Sequence, residues 1–181
     1  CACLVGSEMC IRDRAFIFPF LLKGKSRMPV AIMAMGIVFN LLNGMMQAGG
    51  LFYFAPEGLY ADGWAYLLKP HALLGIILFF AGMFVNLHSD YVIRHLRRPG
   101  DTKHYLPGKG LYRYVTSANY FGELVEWTGF AILTASPAAW VFVWWTFANL
   151  VPRADAIHRR YREEFGDEAV GKRKRIIPFL Y

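Results

Sequence analysis

The sequence predicts an all-α integral membrane protein, a bundle of several helical spans, and three observations carry that prediction. Apolar residue types make up 56% of the 181 residues and charged types only 18%, against about 45–50% and 25% in soluble domains. Long stretches carry no formal charge. Basic residues alternate between rich and poor connections along the chain. The same composition excludes intrinsic disorder, because too much apolar surface would stay wet. It also excludes an acidic tail protein and a disulfide scaffold.

Taken in order, the first fourteen residues stand apart. All three cysteines, Cys1, Cys3 and Cys10, lie there and none follows, so pairing arguments have nothing to act on. Residues 5–14 resemble translated read-through of a sequencing adapter. Residues 1–13 are therefore set aside as a non-native segment, and the natural protein is expected to begin earlier. Ala15–Leu22 reads as the stump of an earlier span. Pro29–Ala55 is 27 residues with no charge, about 40 Å as a helix against about 30 Å of hydrocarbon. His71–His88 is a second uncharged run of 18 residues, with Pro70 placed where a missing N–H costs nothing. Ala118–Thr134 is apolar except for Asn119, Glu123 and Glu126, and Ala138–Val151 follows after Ala135, Ser136 and Pro137. Joined, the last two would make a helix of about 51 Å, too long for one span, so a hairpin broken at Pro137 is expected.

Between these segments the basic residues alternate. Lys and Arg number three in residues 23–28, one in 56–70, six in 89–117, none in 135–137 and eight in 152–181. Four successive spans with a cytoplasmic C-terminus give that pattern. A soluble helical protein would show no such alternation. Nucleic-acid binding, another reading of the +7 net charge, fails because the basic residues sit at span ends rather than on one continuous face. The membrane is either a bacterial inner membrane or the endoplasmic reticulum.

Polar residues inside apolar segments are the candidates for a site. Asn86, Asp90, Arg94 and Arg97 are spaced by four, four and three residues, one stripe on a helix. It is either a solvated ion-pair face or a set of guanidiniums suited to phosphate oxygens. Asn119, Glu123 and Glu126 also share a face. Carboxylates in an apolar span point to a site facing a wet cavity, the alternative being an interfacial position. Arg153 and His158 follow the last span and can reach a cytoplasm-facing cavity. Arg159, Arg160 and Lys172–Arg175 suit anionic lipid head groups. His104, Tyr105 and Lys109 lie among Gly100, Pro107, Gly108 and Gly110, either a ligand lid or a plain connector. Asn40, Asn43 and Gln47 are either helix–helix glue or the lining of a pocket. No Gly-x-Gly-x-x-Gly follows a strand, so a Rossmann site is not expected. The five histidines lack metal-ligand spacing, and no nucleophile elbow is evident.

Several motifs in order then resemble the steroid 5-alpha-reductases. They are Asn86-Leu-His-Ser-Asp90, Arg94-His-Leu-Arg97-Arg-Pro-Gly100, Leu106-Pro-Gly-Lys-Gly-Leu111, Ser117-Ala-Asn119-Tyr-Phe-Gly-Glu123-Leu-Val-Glu126-Trp127 and Ile177-Pro-Phe-Leu-Tyr181. Lys23-Gly-Lys25 and Asn43-Gly-Met-Met-Gln47 belong to the same resemblance. It implies the C-terminal four to five helices of a seven-helix membrane reductase. The cofactor would be NADPH, with hydride passing to the beta carbon of a 3-oxo-4-ene steroid while an acid assists at the 3-oxygen. By matching motif, Asn86, Asp90, Arg94, Arg97, Tyr105, Asn119, Glu123, Arg153 and His158 would hold the cofactor, with Lys25 where the family usually has an Arg. Two departures are visible. Ile157-His158 stands where the family has adjacent histidines. The family's proton-donating Tyr would fall just before Arg14 and its partner Glu upstream, so the chain alone is expected to turn over little or no substrate. Polyprenol and enoyl-CoA reductases are related alternatives, and a membrane methyltransferase of the isoprenylcysteine type is a more distant one. Steroid or other lipid substrate and membrane lipid are the expected partners, with no metal.

Overall fold

The computed structural model describes residues 30–96 and 104–181, except the side chains of residues 31 and 32. The expectations for residues 1–29, Lys25 among them, and for Arg97 fall outside the described residues. The chain divides into two units, residues 1–46 and 47–181. Five α-helices are described: α1 (Val30–Phe52), α2 (Pro70–Arg94), α3 (Ala118–Thr134), α4 (Pro137–Phe165) and the short α5 (Asp167–Val170). Two 3-10 turns, Gly63–Leu68 and Gly110–Arg113, precede α2 and α3. No strand forms among the described residues; one isolated bridge joins Val115 to Lys174 in parallel.

Helix α1 runs through the first uncharged segment and stops at Phe52, three residues before Ala55. Within its first unit, Asn40 folds its amide back to the Gly36 carbonyl at 2.9 Å, which satisfies the amide inside one helix. Its last turns belong to the second unit. There Gln47 approaches the Ala138 carbonyl at 3.5 Å, and a Cβ on Gly50 would fall 2.6 Å from that of Ala138.

Helix α2 begins with Pro70 at N1, where the ring fixes φ and no donor is lost. It is the one helix among the described residues long and apolar enough to cross a membrane, with a mean hydropathy of 1.9. Helix α3 turns back at Ala135, which adopts the left-handed φ of 48°, and Pro137 opens α4 at once. The turn expected at Pro137 is thus built from a left-handed C-cap followed by an N1 proline. Two carbonyls left over at the α3 C-terminus are taken by tyrosines of the 56–70 segment: Tyr60 Oη donates to Thr134 at 2.5 Å and Tyr66 Oη to Leu133 at 2.9 Å. Helix α4 continues through Pro152 to Phe165, well past Val151.

The α2–α3 seam is closed at backbone distance. A Cβ on Gly82 would lie 2.7 Å from the Glu126 Cα and the Gly122 carbonyl; one on Gly75 would lie 2.7 Å from the Gly129 carbonyl. Reciprocally, a Cβ on Gly122 would lie 2.6 Å from the Asn86 nitrogen and one on Gly129 2.7 Å from the Gly75 carbonyl. Real Cβ atoms do not approach backbone this closely, so each position admits glycine alone. The outer faces show the opposite pattern. Leu74, Ile77, Phe80 and Phe84 of α2 are exposed, as are Val141, Trp144 and Trp145 of α4, whereas Asn86, Ser89, Asp90 and Glu126 are buried. Apolar residues face out and polar residues face in.

Gly82→Leu is expected to separate α2 from α3, because the contact is with backbone that cannot move aside; overpacking of this kind costs about 1–3 kcal/mol or more. Gly36→Ala, at a position with open space around it, serves as the tolerated counterpart. Detergent-solubilised yield and melting temperature of the two variants check this.

Candidate functional site

The site is built where the end of α2 meets the start of α3. Asn86, Ser89 and Asp90 lie on one face of α2 and are 4%, 2% and 5% exposed. Arg94 follows one turn later and is exposed. The helix ends there: the His95 N–H bonds the Tyr91 and Ile93 carbonyls. A continuous helical stripe from Asn86 to Arg97 is therefore replaced by a shorter one, Asn86–Asp90–Arg94, and Arg97 lies outside the described residues.

The 104–117 segment folds across the end of α2. Gly110, with φ of +59°, sits against the His88 ring; a Cβ there would meet the His88 Cε1 at 2.6 Å. This turn buries Tyr112 to 1% exposure. Its hydroxyl donates to Asn119 Oδ1 at 3.4 Å. Burial foremost, and then the Asp90 carboxylate, push the Tyr112 phenol well above its usual value. Tyr112 thus stands between Asp90 of α2 and Asn119 of α3. Sequence reasoning missed it, because an irregular turn carries no periodicity that would place one tyrosine inside. Glu123, one turn beyond Asn119, is half-buried. Glu126 is buried further along α3, where its backbone meets Gly82 in the seam.

At the head of α3, Ser117 is the N-cap residue and 1% exposed, yet its Oγ has no hydrogen-bond partner among the described residues. Beside it, Thr116 Oγ1 lies 3.4 Å from His158 Nδ1 and 3.3 Å from the Arg175 carbonyl. When Thr116 donates to that carbonyl, His158 donates through Nδ1 and leaves Nε2 as an acceptor. His158 is therefore brought to the α3 N-terminus. Arg153 is not on the same face: five residues along a helix turn the direction by about 140°, and Arg153 is exposed while His158 is buried. His158 lies at the Thr116 junction, and Arg153 lies on another face of α4.

The C-terminal half of α4 is strapped on both sides. Asp155 accepts from Arg175 at 2.5 Å and pairs with Arg159 at 3.0 Å. The Arg175 bond holds the Asp155 carboxyl below its usual value, helped by Arg159. His104 pairs with Glu164 at 2.5 Å, and Arg160 lies 3.4 Å from His104. The neighbouring Tyr105 is 41% exposed. Arg173 donates to the Pro107 carbonyl at 3.0 Å. No group of three or more His, Cys, Asp or Glu is arranged to hold a metal ion among the described residues.

Burial, then Arg175 and Arg162, hold the His158 imidazole below its model-peptide value of 6.5. The folded state thus prefers the neutral ring and the unfolded chain takes up the proton first. Stability from this site is present above pH 6.5 and falls as pH drops through the lower folded value. His158→Gln is expected to remove this step from the melting temperature profiled against pH.

The chain matches the 3-oxo-5-alpha-steroid 4-dehydrogenase family over residues 26–181. It is 43% identical over 168 residues to 3-oxo-5-alpha-steroid 4-dehydrogenase 1 of Macaca fascicularis, covering 93% of this chain and 62% of the relative. Against the human enzyme of the same name the identity is 42%, with the same two coverages. Against human 3-oxo-5-alpha-steroid 4-dehydrogenase 2 it is 38%, covering 93% of this chain and 63% of the relative. The chain thus spans somewhat under two thirds of the length of these relatives. The buried amides and carboxylate at the α2–α3 junction fall inside the matched segment, and the chain belongs to the 3-oxo-5-alpha-steroid 4-dehydrogenase family.

Proposed function

We propose that this chain is the cofactor-holding part of a membrane-embedded reductase that saturates the 4,5 double bond of a 3-oxo-4-ene steroid with NADPH. The observation that carries this reading is that buried Tyr112 meets Asn119 of α3 and feels Asp90 of α2, with Asn86 buried one turn from Asp90 against Gly122. The named activity of the relatives and the family match support the substrate class. The exposed apolar faces of α2 and α4 around a polar interior support a lipid surround. In this reading α1, α2, α3 and the first half of α4 are the four spans, and the basic connections place the C-terminus in the cytoplasm.

The donor set suits a dinucleotide. Amides on Asn86 and Asn119 can both donate and accept, the Asp90 and Glu123 carboxylates suit ribose hydroxyls, and guanidiniums at Arg94, Arg97 and Arg153 suit phosphates. The Ser117 hydroxyl, buried without a partner, has hydrogen-bonding capacity left for a ligand at the same helix terminus. Lys25, Tyr105 and His158 complete the proposed set. When bound, NADPH supplies the hydride; the protein's part is to fix it and exclude water. Tyr112 holds Asn119 in one amide orientation.

NADPH, and not S-adenosylmethionine, should protect the protein from limited proteolysis; protection by S-adenosylmethionine instead would favour a methyltransferase. Arg97→Ala should weaken NADPH binding by about tenfold or more, the scale of a lost charge-assisted hydrogen bond; unchanged affinity removes Arg97 from the site. Ser117→Ala should also weaken NADPH binding while leaving the melting temperature unchanged or raised, since it deletes a buried group with no protein partner. Equilibrium binding and thermal unfolding, measured on the same preparations, separate the two effects.

A further inference from the structure

The C-terminal segment folds into a hook whose depth is fixed by backbone bonds. The Thr116 N–H donates to the Lys174 carbonyl at 2.9 Å, the Ser117 N–H to the Arg175 carbonyl at 3.0 Å, and the Lys174 N–H to the Tyr114 carbonyl at 2.8 Å. Residues 174–175 are therefore held beside residues 114–117, immediately before α3 begins at Ala118. Ile176, fully buried, packs with Tyr120 in the first turn of α3 and with Leu150 and Ala154 midway along α4. The hook closes when the Ile176 and Ile177 N–H groups both reach the Tyr181 carbonyl oxygen at 2.8 Å.

What the hook displays is out of place for a soluble surface. Phe179 is 78% exposed and Leu180 75%. Phe179 also adopts a left-handed φ of 66°, a conformation a bulky residue holds only against strain. Beside it lies an open cleft of about 570 Å³ lined by Arg113, Lys172, Arg173 and Lys174 together with Tyr114 and Phe179. Four cations line it and no carboxylate does. Arg113, Lys172 and Lys174 form no ion pair with the described acidic residues.

We propose that this hook is a membrane-surface anchor: Phe179 and Leu180 enter the headgroup–acyl boundary while Arg113, Lys172 and Lys174 take the phosphates of anionic phospholipids. The proposal rests on the reading that α3 and α4 cross the bilayer, because that reading puts residues 114–117 at the level of the lipid surface. Charge complementarity selects anionic over neutral lipid, and each basic residue near such a surface strengthens attachment roughly fivefold. Arg173 is spoken for by the Pro107 carbonyl and has a bracing role.

The test uses this protein in nanodiscs, with Cys1, Cys3 and Cys10 replaced by serine and an environment-sensitive fluorophore on Leu180→Cys. Discs of phosphatidylcholine are compared with discs containing phosphatidylserine, and quenching by lipids carrying a spin label near the headgroup is read. The anionic discs should increase quenching severalfold over neutral ones. The double variant Lys172→Glu/Lys174→Glu should abolish the difference, and Phe179→Gly should weaken quenching in both. Equal quenching in the two lipids overturns the proposal. So does a shift that inorganic phosphate or NADPH reproduces in neutral discs, which would make the cleft a soluble-phosphate site. A second label at Trp144→Cys, on the outer face of α4, reports the spans separately. If it escapes quenchers placed deep in the acyl chains, the membrane reading itself has failed, whatever position 180 shows.

Discussion

Glycine at four points along the α2–α3 seam lets two helix backbones touch, and the positions of the buried polar groups follow from that contact. Gly75 and Gly82 on one helix, Gly122 and Gly129 on the other, are each seven residues apart and oppose one another in antiparallel order. A seven-residue interval keeps both glycines on one stripe of a helix. Each glycine costs about 1 kcal/mol of helix propensity relative to alanine. Close backbone packing offsets that cost where lipid gives helices no hydrophobic reason to associate. The seam sets the register: with Gly122 against the Asn86 backbone, Asn86 and Asp90 come to the same end of the pair as Asn119. Shifted by one turn, the amides and the carboxylate would be separated by more than 5 Å along the axis.

Around this seam the usual order of a globular protein is reversed. Buried positions on α2 include Gly75, Gly82, Asn86, Ser89 and Asp90 beside Ala72 and Val92, while Leu74, Ile77, Phe80 and Phe84 are exposed. In water such an arrangement would leave a large apolar patch unsatisfied and a polar interior expensive. In lipid both features become consistent: apolar side chains meet acyl chains, and the polar groups pair with one another inside. Tyr60 and Tyr66 apply the same rule at the far end of α3, where they satisfy two carbonyls of its last turn.

The near end is held by two small apolar clusters, around Tyr112 and around Ile176, and by polar straps across them. The 104–117 segment is tied to α4 through His104 and Glu164 and to the C-terminal segment through Arg173 and Pro107. The C-terminal segment is tied to α4 through Arg175 and Asp155. These ties close over the buried cluster from the side where basic residues concentrate. Burial within them pushes the Tyr112 phenol up and the His158 imidazole down, so each shift favours the neutral ring. Neutral rings can hold amides and hydroxyls in fixed orientations without adding charge to a site already rich in it.

Periodicity and charge were sufficient to read the helical segments, the hairpin at Pro137 and the polar faces containing Asn86, Asp90, Asn119 and Glu123, because each depends only on neighbours within a few turns. The motifs were likewise enough to point to the reductase family. Local pattern could not supply three things. The length of α4 beyond Pro152 depends on its packing against the hook, and Tyr112 is drawn inside by an irregular turn around Gly110. Arg153 and His158, five residues apart, fall on different faces of α4 because a helix turns about 100° per residue. The glycines were visible as residues, but their meaning was not: a missing side chain is informative only once another backbone is seen occupying its place.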